Sequence, residues 1–317
     1  MNKHGKRLLS IAALFTATTF TIHIINKVIA ASACLKELLD TDVRNFYHWR
    51  FSDIYYVKKG KGSPILLVHD MLPGGSGYEW NKIVDDLALE HTVYVIDLPG
   101  CGRSEKQNMT YTNFVFVQAI CDFVKDVIKE KTDVIVNGFS SSFVVMACHN
   151  EKELFNKIMM VNPVNPASLK QMPGKKEKIL RKCLEIPVFG TLVYHMIVSR
   201  EAINDYFIED YAFDPFHPDI ELQDAFYEAA HRGGCYAKCV YANMISKFMN
   251  IDISRAVKAM DNSVYIIEGE AENNGSAIAE VYQSFNPSIE VESVKHTKHF
   301  PHFEDPEGFM EQVGIFF

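Results

Sequence analysis

Apolar positions along this chain fall into three patterns. Leu8–Ile25 is a largely apolar run, interrupted only by Ser and Thr, with His23 its only titratable residue, and Lys3, Lys6 and Arg7 precede it. Short β-branched or aliphatic runs recur near 64–69, 92–98, 133–139, 157–163 and 263–269, each bounded by turn residues, and 288–294 (SIEVESV) alternates like a strand. These read as buried parallel strands, with an antiparallel hairpin strand expected in Arg50–Gly60. Helical spacing is found near 79–89, 112–130, 141–149 and 306–316, and Lys36–Trp49 reads as a linker and lead-in. Strand–helix alternation predicts an α/β fold, a mostly parallel sheet flanked by helices. Successive strands lie about 25–40 residues apart, except for about 100 residues between Pro163 and Ser263. That gap predicts a helical cap inserted at 164–262 within a domain spanning 36–317, behind an N-terminal hydrophobic segment at 1–35.

The eighteen residues Leu8–Ile25 are just long enough to span a bilayer as a helix. The preceding basic residues place the N-terminus in the cytoplasm and the rest of the chain outside. Ala31-Ser32-Ala33 before Cys34 has the look of a cleavage site, but Lys27 interrupts the approach to it. An uncleaved membrane anchor is therefore expected, with secretion after signal cleavage as the alternative.

With 317 residues, 48% of them apolar, the chain can bury one large core. A net charge of −8, with no basic patch interleaved with aromatics, argues against nucleic acid as a partner. Seven cysteines without paired spacing read as reduced thiols. His231, Cys235 and Cys239 would share one face if 229–242 were a helix; a packing face is expected there, since no fourth metal ligand is nearby. Aromatics in the insertion, among them Tyr194, Phe207, Tyr211 and Phe226, suggest an apolar binding cavity.

The most informative stretch is Val134–Ser142, VIVNGFSSS. A strand, a sharp turn and a helix put Ser140 at the centre of G-x-S-x-S, close to the G-x-S-x-G turn that exposes a nucleophilic hydroxyl. A serine needs a histidine base, held in turn by an acid. Both types stand just beyond later strands: Glu270 and Glu272 after 263–269, and His296, His299 and His302 after 288–294. Ligand-facing residues belong at such strand ends.

With HDMLPG from His69, D-x-P-G-x-G-x-S at Asp97–Ser104, GFSSS, G-x-x-E at Gly269–Glu272 and HFPHFEDPEGF from His299, the chain resembles α/β-hydrolase fold proteins, the serine-nucleophile, esterase- or lipase-like members with a helical cap. The resemblance covers about Tyr55 to Phe317. It implies Ser140 as nucleophile, His299 as base and Glu272 as acid. It also implies an oxyanion hole from the backbone N–H groups of Met71 and Ser141, and Asp97 and Arg103 tying their loop together. Three positions depart from the family pattern: Asp70 and Ser142 stand where glycine is usual, and Glu272 where aspartate is usual. The expected function is a cofactor-free serine hydrolase cleaving a carboxylic ester, thioester or related acyl bond of a small apolar molecule. The alternative is a binding or sensing protein on the same scaffold.

Overall fold

The computed structural model describes residues 3–41 and 45–317. Eight strands form one sheet: β1 (Asn45–Trp49), β2 (Ser52–Gly60), β3 (Ser63–Val68), β4 (His91–Ile96), β5 (Thr132–Asn137), β6 (Phe155–Val161), β7 (Val264–Gly269) and β8 (Glu290–Val294). The spatial order is β1-β2-β4-β3-β5-β6-β7-β8. β2 pairs antiparallel with both of its neighbours, β1 and β4; the other neighbouring strands pair in parallel. This is the α/β-hydrolase fold, as the alternation of patterns predicts. The central strands are apolar throughout because both faces are covered: Ile65–Val68 and Val134–Val136 are completely buried.

The main helices are α1 (Lys3–Ala33), α2 (Asn113–Phe123), α3 (Ser141–Asn150), α4 (Lys175–Glu185), α5 (Phe189–Ile197), α6 (Arg200–Tyr206), α7 (Ile220–His231), α8 (Ala237–Ile245), α9 (Gly275–Phe285) and α10 (Pro306–Phe316). One face of the sheet packs on α2, α3 and α9, where Phe116 stacks on Phe143 at 4.7 Å. The other packs on Trp80 and α10, with Phe309 completely buried.

Three local expectations change. The lead-in contains β1, an edge strand whose alternating NFYHW buries only Trp49 fully. The helical pattern at 79–89 resolves into a 3-10 turn, Gly77–Trp80, and a single α turn, Val84–Leu87. The segment 229–242 is broken: α7 ends at His231, and Gly233 and Gly234 take φ of 89° and 63° before α8 starts. His231, Cys235 and Cys239 therefore do not share a helix face.

Between β6 and β7 the chain is helical, from α4 through α8, and α1 is docked onto this insertion. Phe15 stacks on Phe189 at 6.1 Å, Asn26 Nδ2 donates to the Val188 carbonyl at 2.9 Å, and Lys36 pairs with Asp224. Of the described helices, α1 is the one long and apolar enough to cross a membrane, and Leu8, Ile11, Leu14 and Phe15 are exposed along it.

The loop after β4 is folded around Asp97, which is completely buried. Its carboxylate accepts from Gly77 N at 2.7 Å, Arg103 N at 2.6 Å, Arg103 Nε at 2.7 Å and Arg103 Nη2 at 2.9 Å. Burial alone would raise its pKa, but the Arg103 guanidinium overrides this and holds it down at about 2. Asp97→Asn leaves a buried guanidinium without its counter-charge and should cost about 3–5 kcal/mol of stability in chemical denaturation. The native carboxylate's contribution is complete above its unfolded pKa of about 3.9 and is lost as pH falls toward 2. Acid titration of the wild type and Asp97→Asn should therefore converge in that window.

Candidate active site

The site is built where four chain segments meet at the C-terminal ends of the parallel strands: the loops after β3, β5, β7 and β8. β5 ends at Asn137, and the next residue, Gly138, takes φ of 55°. That left-handed residue is the apex of the strand-to-helix turn. Ser140 comes two residues later in helical conformation (φ −63°, ψ −18°), already inside the turn that leads into α3. Ser140 and Ser141 are completely buried, with neither hydroxyl partnered, and Ser142 Oγ donates to the Phe139 carbonyl at 2.8 Å. Ser141 N–H is bonded within the turn, to the carbonyls of Gly138 and Phe139.

The space over Gly138 belongs to Asp70. A Cβ added to Gly138 would lie 2.1 Å from the Asp70 carboxyl carbon. Asp70 Oδ1 accepts from Met71 N at 2.6 Å and from Phe139 N at 2.7 Å. Those two N–H groups, one from the loop after β3 and one from the residue after the apex, form an oxyanion-type cradle. Asp70 Oδ2 lies 2.9 Å from His299 Nε2, and His299 Nδ1 lies 3.4 Å from Glu272 Oε2. The structure thus brings together Met71, Glu272 and His299. Ser140 makes no hydrogen bond to the imidazole, and the second cradle donor is Phe139 where Ser141 was expected.

His299 sits between two carboxylates. Burial would lower its pKa, but the hydrogen bonds and charges of Asp70 and Glu272 prevail and push it up to about 10. At neutral pH the ring is an imidazolium. Beneath it, Glu79 is completely buried; it accepts from Asp70 N at 3.2 Å and from Asn137 Nδ2 at 3.1 Å. Burial, with the Asp70 charge nearby, drives the Glu79 pKa well above the usual carboxylate range. His302, stacked on Trp80 at 4.0 Å, is held neutral by burial and by the charge of His299. His69 is structural: its Nε2 accepts from Leu98 N at 3.0 Å, so Nδ1 donates to the Asp70 carbonyl at 2.6 Å. Glu270 is exposed and accepts from His296 N.

Asn162, just after β6, takes φ of 41° and joins the two loops that carry the acid and the histidine. Its side chain accepts from Gly269 N at 3.0 Å and donates to the carbonyls of Lys298 and His299. Sequence reasoning passed over Asn162, and it noted Asp70 only as a departure. The available signal was the coincidence of an extra carboxylate after β3 with a glycine directly after β5. A cavity of about 290 Å³ adjoins Glu272 and His299, bounded by Val164, Ser168, Ile266 and Ile278. Asp70 itself is 2% exposed, and Phe207, Tyr211, Phe226 and Phe300 cluster beside His299.

This architecture defines an α/β-hydrolase with a buried acid–histidine centre. The model of the alpha/beta hydrolase family matches residues 65–312, and the chain belongs to that family. It is 28% identical over 113 residues to 2-hydroxy-6-oxo-6-(2'-aminophenyl)hexa-2,4-dienoic acid hydrolase of Metapseudomonas resinovorans, covering 33% of this chain and 37% of that protein. It is 25% identical over 111 residues to soluble epoxide hydrolase of Corynebacterium sp. (strain C12), covering 35% and 38%. The matches therefore span little more than a third of these curated relatives. Among solved structures, a serine hydrolase involved in carbazole degradation superposes with a TM-score of 0.71 at 17% identity, over 86% of this chain and 98% of that one. A membrane phospholipase A gives 0.67 at 16% identity, over 98% and 97%. These two structures show the fold alone.

One substitution pair tests the exchange of side chains at the turn. Asp70→Gly combined with Gly138→Ser empties the cradle and puts a hydroxyl on the apex. The double variant should gain fluorophosphonate labelling at the introduced hydroxyl, whereas the wild type stays unlabelled. Labelling of the wild type that disappears in Ser140→Ala would assign the nucleophile to Ser140.

Proposed function

We propose that this chain is a hydrolase whose nucleophile is the Asp70 carboxylate, with His299 as the proton-transfer group and Glu272 as its orienting acid. The observation that carries this reading is the placement of Asp70: one oxygen rests in the Met71/Phe139 cradle and the other faces His299. A serine mechanism needs a neutral histidine at the outset to take the hydroxyl proton. Here the resting histidine is an imidazolium, and an ionised carboxylate needs no base to attack.

The fitting substrate class is a small molecule with an electrophilic saturated carbon, an epoxide foremost; the epoxide hydrolase among the relatives agrees with this. Asp70 Oδ2 attacks the carbon, the C–O bond of the ring breaks, and His299 gives its proton to the released oxygen. Esterification also removes one of the two anions that hold the imidazole charged, so the ring is left neutral and basic. It then takes a proton from water as the hydroxide adds to the Asp70 carbonyl carbon. The tetrahedral oxyanion falls in the cradle of Met71 and Phe139. Collapse releases the diol, which takes up the carboxyl proton, and both the Asp70 carboxylate and the His299 imidazolium are restored.

Two other readings have their own support. Acyl transfer through Ser140 rests on the sequence pattern. A non-catalytic binding role is favoured by the deep burial of Asp70 beneath the aromatic cluster. We also propose that α1 anchors the protein in a membrane, with Lys3–Arg7 on the cytoplasmic side and the hydrolase domain outside.

A single turnover of limiting styrene oxide in ¹⁸O-water separates the readings. Under the proposal the first-turnover diol carries no ¹⁸O and the peptide containing Asp70 gains the label. Asp70→Asn should lower turnover by at least about 10³-fold, with Ser140→Ala near wild type. Ester hydrolysis lost in Ser140→Ala and kept in Asp70→Asn would establish the serine reading. No turnover of epoxides, alkyl halides or aryl esters by the folded wild type would leave the binding role.

A further inference from the structure

A second cavity, of about 460 Å³, lies between α1 and the helical insertion and shares no lining residue with the cavity beside His299. That volume is within the range of small-molecule sites. One wall is the C-terminal part of α1, from His23 to Ala30; the opposite wall comes from Val188 and Thr191 of the α5 region and from Lys238 of α8.

Lys238 is the unusual group. It is 4% exposed, and its ammonium donates to the Ile186 carbonyl at 2.8 Å and to Thr191 Oγ1 at 3.0 Å. An ammonium has three hydrogens, so one remains for another partner. Among the described residues no carboxylate pairs with it; Glu185, also on the wall, is held by Arg181 at 2.8 Å. Glu185 attracts the ammonium only from a distance; a buried charge with no directly paired counter-charge is costly, and an anion in the cavity would relieve that cost. His195, likewise 4% exposed, lines the cavity with its Nδ1 unpartnered. Burial first, then His231 and Lys238, holds its pKa down at about 4, so the ring is neutral and can accept or donate one hydrogen bond. Lys27 brings a further cation from α1.

The rest of the lining is largely apolar, and its surroundings are more so. Ile179, Leu180, Ile186, Val193 and Met196 are exposed on α4, α5 and their connection, while Phe15 of α1 stacks against Phe189 at the start of α5. An apolar surface of this kind next to a spanning-length helix suits contact with lipid.

We propose that this cavity binds a single-chain anionic amphiphile, its carboxylate or phosphate head on Lys238 and His195 and its chain between α1 and α5. The site does not depend on the chemistry at Asp70. The membrane supplies only the route of entry.

The full-length protein in dodecyl maltoside, titrated with palmitate, with lysophosphatidate and with the uncharged hexadecanol, tests this. Saturable one-to-one binding is read by slower maleimide labelling of Cys235, an exposed residue on the cavity wall. Lys238→Gln should weaken the anionic ligands about tenfold or more and leave hexadecanol unchanged. Preference for palmitate or for lysophosphatidate tells a carboxylate head from a phosphate. Val188→Trp fills the cavity and should abolish protection by all three, while Asp70→Asn should leave binding intact. Absence of saturable protection in the wild type, or equal protection by the three ligands in Lys238→Gln and wild type, would overturn the site.

Discussion

Room for a single side chain between the loop after β3 and the start of α3 governs the centre of this protein. At that crossing the backbone of Gly138 runs so close to Asp70 that a Cβ and the carboxylate cannot coexist. In the usual arrangement of the fold the turn after β5 supplies the reactive group and the loop after β3 supplies only an amide. Here the side chain comes from β3 and the turn supplies the amide. The two N–H groups and the histidine keep their places around the same point in space.

That exchange sets the electrostatics of the core. Three carboxyl groups, of Asp70, Glu79 and Glu272, lie around one imidazole. They cannot all be ionised in so dry a place at acceptable cost. Glu79, sealed beneath Asp70, is the one whose pKa burial and the Asp70 charge drive up. Asp70 accepts from two amides and faces His299, and Glu272 stands at the edge of a cavity. His302 is held well below the usual imidazole range by burial first and by the charge of His299 second.

Much of the fold was legible because parallel strands buried on both faces leave uninterrupted apolar runs, and five of them stand in this sequence, with the alternating SIEVESV marking the edge strand β8. β1 escaped because an edge strand needs only one good face, and NFYHW buries a single residue fully. A single helix across 229–242, the condition for His231, Cys235 and Cys239 to share a face, is interrupted at two glycines whose positive φ no pattern of apolar residues discloses. At the centre, His299 and Glu272 stood out because they follow strand ends. Ser140 looked like the apex because glycine and serine flank it at the right spacing. But with the apex two positions earlier, at Gly138, Ser140 becomes the small residue that follows it, and Val136 stands where a small residue before it is usual. Only the backbone angle at Gly138 separates the two placements. Asp70 was visible as an anomaly, yet the direction of its side chain is a three-dimensional fact.

The docking of α1 has a mechanical side. A hydrolase domain on a flexible tether tumbles freely and meets its surroundings from every angle. Here the hydrogen bond from Asn26, the stack of Phe15 on Phe189 and the Lys36–Asp224 pair clamp the helix to the insertion. With α1 in a bilayer, Phe15 would lie about 15 Å below the Ile25 end of the apolar run, so Phe189 and the start of α5 would dip into the lipid and the body would always turn that same flank toward it. Molecules diffusing laterally in the leaflet would then reach that flank by a two-dimensional search, and water-borne molecules would arrive from the opposite hemisphere.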